Sequence, residues 1–280
     1  VRALVAALAA AALALSGTSV AASGPAAGSA AYLAARQSAG GGFAEDGQAP
    51  DASLTAWAAL ALVAADGPPA ARAGALEFLR GRGGDVRSDT DLALRVTALA
   101  ALGDRPADLL ARLRRHRPGA LVNATVWTLI ALRAAGEPAP QSFVEALLGA
   151  QSRSGGWSWS RGGRPDSNDT AAAIQALRAA GVTGAPIRRA AAFLRSFQNR
   201  DGGFALAKGR DSDAQSTAWA IQGLIAAGQR PGAAAFRYLS RLRRPDGSYR
   251  YSARYATTPV WVTAQVVPAL AGRSFPLGRA

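Results

Sequence analysis

The chain has 280 residues, 49% of them hydrophobic and 18% charged, enough apolar content for a folded core, which excludes a disordered tail or a collagen-like chain. Cysteine is absent and His116 is the only histidine, so disulfides, thiolate zinc sites, iron–sulfur clusters, cysteine nucleophiles and any mechanism that needs two imidazoles are excluded. The net charge is +14, and of the 32 basic residues only Lys208 is not an arginine; a GC-rich genome explains Arg in place of Lys, but the shortage of Asp and Glu leaves a positive field that suits an anionic neighbour.

Residues 1–15 carry one Arg followed by an unbroken apolar run, and Ser19-Val20-Ala21 then offers a small-x-small cleavage site. That is the pattern of a secretory signal peptide over residues 1–21, followed by a flexible segment at 22–29. The apolar run is shorter than the roughly 20 residues of a membrane span, and no later stretch is long and uncharged enough to be one. The expected location is therefore secreted or associated with the cell envelope, with no transmembrane span in the mature chain.

From residue 30 to 280 the chain repeats itself. Apolar helical stretches close on Gly67, Gly103, Gly136, Gly181, Gly228 and Gly272, at intervals of 36, 33, 45, 47 and 44 residues. Glycine just past a helix is the favoured left-handed stop. Each interval restarts near Pro69, Pro106, Pro140, Pro186 or Pro231, as expected for a first helical turn. The restarting segments are amphipathic, with Leu76, Phe78 and Leu79, or Phe193, Leu194 and Phe197, at helical spacing and arginines elsewhere. The helices that end on glycine, within 54–63, 126–132, 171–177 and 217–225, carry almost no charge and must be buried nearly all round. Six outer and six inner helices result, the first outer one starting at Ala30. Neither end of the array is polar, as the cap of an open solenoid would be. Each end is therefore expected to cover the other, giving an all-α, closed (α/α)6 toroid of six helix-hairpin repeats around an apolar central hole.

Three repeats share a turn between outer and inner helix: Gln37 to Phe43 through Gly41-Gly42, Gln151 to Trp157 through Gly155-Gly156, and Gln198 to Phe204 through Gly202-Gly203. A fourth, ending Gly247-Ser248-Tyr249, has Arg243 at the Gln position. These turns resemble the QW repeat of the squalene cyclase and protein prenyltransferase repeat family, whose fold is a six-by-six α/α toroid. The resemblance spans essentially all of the chain after the signal segment. The glycines allow a tight backbone, the aromatic fills the gap between units and the amide ties off helix ends, so the motif speaks for the fold more than for an activity.

Squalene-hopene-type cyclases protonate an alkene with the middle aspartate of a D-x-D-D-T-A motif. The matching stretch here is Asp166-Ser167-Asn168-Asp169-Thr170-Ala171. Asn168 takes the acid's place, and an amide has no proton acidic enough, so an acid-initiated reaction would need Asp169 or Asp166. Asp213, one repeat on, again lacks a paired acid. The prenyltransferase zinc site needs Asp, Cys and His and cannot be built here. His116 sits in an Arg-rich run and reads as part of a solvated basic face. Asp51, Asp91, Asn123, Asp169 and Asp213 all stand at or near inner-helix starts, where capping is the ordinary role of Asp and Asn.

Trp57, Trp127, Trp219 and Trp261 recur on inner helices, as do Gln175, Gln222 and Gln265. They either pack inner against outer helices or line the hole for an apolar, isoprenoid-like ligand. The candidate functions are binding such a ligand in the central cavity without a cofactor or metal, an acid-initiated terpene-cyclase-like reaction with Asp169, Asp166 and Asp213, or a cobalamin-carrier-like role, since carriers of that vitamin use a similar toroid. Outer-helix arginines such as Arg112, Arg114, Arg188, Arg189, Arg195, Arg237, Arg241 and Arg244 read either as a soluble surface or as attraction to an anionic envelope polymer or lipid surface. No motif for nucleic acid is present.

Overall fold

The computed structural model describes residues 24–82 and 84–278, and the predicted signal segment at 1–21 lies outside them. Among the described residues there are twelve α-helices and only isolated β-bridges. The outer helices are α1 (Pro25–Ala35), α3 (Pro69–Arg80), α5 (Ala107–Arg114), α7 (Gln141–Ala150), α9 (Ala185–Arg195) and α11 (Ala233–Leu242). The inner ones are α2 (Ala52–Ala64), α4 (Asp89–Ala101), α6 (Val122–Ala134), α8 (Ser167–Ala179), α10 (Ala214–Ala226) and α12 (Pro259–Leu270). Each inner helix packs on the next, and α12 packs on both α2 and α1. The ring is closed.

Burial follows the sequence pattern. Outer helix α9 buries Ile187, Ala190, Ala191 and Leu194, a single stripe. Inner helix α10 buries every residue from Ala214 to Leu224 except Gln215. No helix among the described residues is long and apolar enough to cross a membrane.

Two boundaries differ from the expected ones. Helix α1 begins at Pro25 rather than Ala30, so part of the segment expected to be flexible is helical; a proline in the first turn supplies the start. At the end of α2 the left-handed residue is Asp66, with φ of 50°, one position before Gly67. Aspartate tolerates that conformation better than most side chains, and the Gly67 N–H still closes the helix on the Leu62 carbonyl at 2.7 Å.

The shared turn is built as a bracket between units. The Nε2 of Gln37 donates to the carbonyls of Gly41 and of Ala71 on the next outer helix, each at 2.8 Å. Gln151 does the same to Gly155 at 2.8 Å and Pro186 at 2.9 Å. Gly155 is left-handed, with φ of 98°, and a Cβ there would meet the Arg189 carbonyl at 2.7 Å; one on Gly156 would strike the Phe193 ring. The aromatics Phe43, Trp157, Phe204 and Tyr249 are fully buried. Their backbone N–H groups donate to the hydroxyls of Thr55, Thr170, Thr217 and Thr263 on the inner helices, at 2.9 to 3.0 Å. These threonines fix where each turn meets its inner helix.

Ring closure has its own fastening. Helix α12 starts after Thr258, which is left-handed and caps nothing. Glu45, from the first repeat, supplies the cap: its carboxylate accepts from the N–H groups of Val260 at 3.2 Å and Trp261 at 2.8 Å. A carboxylate at a helix N-terminus satisfies free donors and meets the positive end of the helix dipole. Glu45→Ala is expected to cost about 1–2 kcal/mol, read as a lower urea midpoint with an unchanged slope. An unchanged midpoint would show that the seam does not depend on this contact.

Candidate functional site

The inner helices run in the same direction, so all six N-termini gather at one end of the ring. There a cavity of about 590 Å³ opens. Its lining is polar at Asp91 on α4, Asn123 on α6, and Asp166, Asn168 and Asp169 at the start of α8, and aromatic at Trp57, Trp127, Trp219 and Trp261. Among the described residues no Arg or Lys borders it, although the chain carries a net charge of +14.

The floor of the cavity is a knot of rings. Trp57, Trp127 and Trp219 meet pairwise at centroid separations of 5.3, 6.0 and 5.9 Å, nearly perpendicular. Phe275, from the segment after α12, packs on all three at 5.9 to 6.2 Å. Edge-to-face contacts of this kind add to the area they bury. The ring therefore has no open channel through its centre, and the expected hole is a cup. Three of the four tryptophans pack on one another across the centre, not merely between inner and outer helices, and their packed surface is the cup's floor; Trp261 borders the cavity.

The glutamines divide. Gln265 borders the cavity, and its Oε1 accepts from Trp219 Nε1 at 2.8 Å and from Gln215 Nε2 at 3.0 Å, which fixes the indole. Gln175 and Gln222 do not reach the cavity. Gln175 lies under the floor, where its Oε1 accepts the Phe275 N–H at 2.7 Å and anchors the plug. Gln222 is buried with its Nε2 on the Gln265 carbonyl at 3.2 Å. Helical spacing alone could not place either one, because the floor is made by a segment from outside the repeat.

The acidic candidates also separate. Asp51, Asp166 and Asp213 cap α2, α8 and α10, accepting from Leu54, Asp169 and Ser216 N–H at 2.9, 2.8 and 2.7 Å. Asp213 further accepts the Ser216 hydroxyl with its other oxygen at 2.7 Å, and it does not border the cavity. Both its oxygens are engaged, so it has no path to a ligand there. Asp169 is not a cap. It is 8% exposed, borders the cavity and accepts from Asn123 Nδ2 at 2.9 Å. Burial, and then the adjacent Asp166 carboxyl, push its pKa up to about 7, against the stabilising amide of Asn123. Burial likewise raises Asp166 and Asp213.

Asn123 thus acts on Asp169 rather than capping α6, and it accepts from Thr90 Oγ1 at 3.3 Å. His116 is not on a solvated face: its Nδ1 lies 3.0 Å from an Asp89 carboxylate oxygen and its ring packs on Phe143 at 5.9 Å. The rim carries Leu121, Trp159 and Leu206, which are 50, 55 and 43% exposed. Sequence reasoning missed these three. The signal was there for two of them, since Trp159 and Leu206 each stand two residues after the buried aromatic of their turns.

The model of the squalene-hopene cyclase C-terminal domain matches residues 118–261, just over half of the chain. The chain belongs to this family. No curated protein matches it. Among solved structures, a protein from Actinoplanes is similar over 89% of this chain and 98% of its own, with a TM-score of 0.68 and 21% identity. A type II terpene cyclase, MstE from Scytonema, in complex with geranylgeranyl dihydroxybenzoate, covers 89% and 96% at a TM-score of 0.63 and 17% identity. The ent-copalyl diphosphate synthase from Streptomyces platensis matches 79% of this chain and 50% of its own, with a TM-score of 0.58 and 22% identity. At these identities the likeness establishes the toroid. Asn168 borders the cavity beside Asp169.

Proposed function

We propose that the cup binds an uncharged isoprenoid-like chain and cyclises it by an acid-initiated step in which Asp169 is the proton donor. The observation that carries this reading is a buried carboxyl, pushed up to about 7, on the wall of a cavity whose floor is tryptophan. A general acid works best with its pKa near the operating pH. In the first step the Asp169 O–H bond breaks and a C–H bond forms at one carbon of an alkene, leaving a tertiary cation on the other. A second alkene of the same chain attacks that cation, closing a C–C bond, and loss of a proton to water ends the sequence. The Asn123 amide and the N-terminus of α8 stabilise the carboxylate left behind, and indole faces stabilise the cation. Solvent then reprotonates Asp169.

Asp91, Asp166 and Asp169 in the lining, with no Arg or Lys among the described residues that border it, oppose a diphosphate head. The Scytonema cyclase supports the isoprenoid part of the ligand alone, since it is described with geranylgeranyl dihydroxybenzoate, whose benzoate head is anionic. The expected result is that geranylgeraniol gives a cyclic product, carrying one deuterium when the reaction is run in D2O, while geranylgeranyl diphosphate gives none. Turnover of the diphosphate in preference to the alcohol would reverse the assignment of the head group.

A second reading, binding without turnover, is favoured by Asn168 at the family's acid position. Quenching of tryptophan fluorescence by geranylgeraniol, weakened in Trp219→Ala and unaccompanied by product, would support it. In either reading, residues 1–21 would export the protein to the envelope or beyond.

A further inference from the structure

The fourth turn breaks the repeat's own rule. In the first three, a glutamine amide holds the carbonyl of the left-handed glycine four residues on: Gln37 to Gly41, Gln151 to Gly155 and Gln198 to Gly202, at 2.8, 2.8 and 2.9 Å. In the fourth, Arg243 has the glutamine's place, and the Gly247 carbonyl is instead held by the Ser29 hydroxyl of α1 at 2.7 Å. Position 243 is thereby released from its structural task.

Its guanidinium lies along α1, where a Cβ on Gly28 would come within 2.5 Å of it. It borders a cleft of about 700 Å³ on the outer side of the ring seam, together with Arg237 and Arg244. Phe236, Tyr249 and Leu270 give the cleft apolar wall, Ser240 adds a hydroxyl, and among the described residues no Asp or Glu borders it. Asp246 stands near Arg244, and one of its carboxylate oxygens, Oδ1, accepts from the Ser248 N–H and hydroxyl at 2.9 and 2.7 Å. Several of the other outer-helix arginines are engaged, Arg114 with Glu137, Arg189 with Gln151, Arg195 with Gln229 and Arg241 with the Asp201 carbonyl. Among the described residues, Arg237, Arg243 and Arg244 have no carboxylate within ion-pair distance.

We propose that this seam cleft, separate from the central cup, is a binding site for an amphiphilic phosphate, its anionic oxygens held by Arg243, Arg237 and Arg244 and its hydrocarbon part laid on Phe236, Tyr249 and Leu270. Guanidinium groups hold phosphate through paired, charge-assisted hydrogen bonds, and three of them not engaged in ion pairs can supply such bonds to an anion. The apolar walls distinguish the ligand from a bare ion.

Calorimetric titration of the full chain tests the site, with dodecyl phosphate below its micelle concentration as the probe and with dodecanol and inorganic phosphate as comparisons. Dodecyl phosphate is expected to bind more tightly than either comparison, and Arg243→Gln to weaken it by about tenfold or more. That variant restores the residue the three sister turns use, so the fold is retained; Arg237→Gln, on an exposed position, is expected to act in the same direction. Equal binding of inorganic phosphate would overturn the amphiphile, and equal binding of dodecanol would overturn the anion site. Unchanged affinity in both variants would place the probe elsewhere, the central cup included, and overturn the proposal.

Discussion

Asp169→Asn is expected to lower turnover of an uncharged isoprenoid by about 10²–10⁴-fold while leaving its affinity for the cup within a few-fold of wild type. The amide keeps the shape and still accepts from Asn123, but it has no proton to give. Rate should depend on pH in the same way: only the protonated acid reacts, so with a pKa of about 7 activity is level below that pH and falls tenfold per unit above it. A variant that keeps full turnover would remove Asp169 from the reaction.

Stability should move oppositely to the usual surface carboxylate. Because the folded pKa of Asp169 is raised from 3.8 to about 7, the folded state holds the proton more tightly than the unfolded state. Ionising the group is therefore a penalty that is absent below pH 3.8, grows as pH rises through that window and is complete above about 7, amounting to about 4 kcal/mol at most. Asp169→Asn removes the penalty. Its melting temperature should exceed wild type at pH 8 and approach it at pH 4, the exchange of stability for activity found where a site holds an unfavourable group.

Phe275→Ala is the substitution with the largest expected effect on the fold. The ring is 3% exposed and touches all three floor tryptophans. Truncation of a buried phenylalanine costs about 3–5 kcal/mol, so thermal unfolding should fall by roughly 10 °C. Phe275→Leu should lose much less, because it refills most of the volume. The functional consequence is specific: with the plug gone, the cup extends toward the far end of the ring, and the preferred chain length of the ligand should increase. A Phe275→Ala protein as stable as wild type would show that the segment after α12 merely rests on the ring.

The ring itself was legible in the sequence because its determinants are local. Glycine stops, proline starts and the contrast between amphipathic outer and uniformly apolar inner helices need only neighbours within one helix. Closure could be read from the apolar character of both ends. Asp166, Asn168 and Asp169 were found as a group because they are contiguous, and Asp51, Asp166 and Asp213 behave as caps, the role that position predicts.

What the sequence left open was decided between elements far apart in the chain. Asp169 and Asp213 occupy similar places in adjacent repeats, yet one borders the cavity beside Asn123 and the other is consumed by Ser216. Gln175 and Gln265 share a periodicity but fall on opposite sides of a floor formed by Phe275. By itself the sequence determined six helix pairs and the aromatic residues at the turns, since hydrogen bonding and burial along one helix have a fixed period. Only the tertiary structure decided which carboxyl lost its water, which tryptophans closed the centre and where Glu45 and Ser29 fastened the two ends, because desolvation and packing depend on atoms the chain brings together only when the ring is closed.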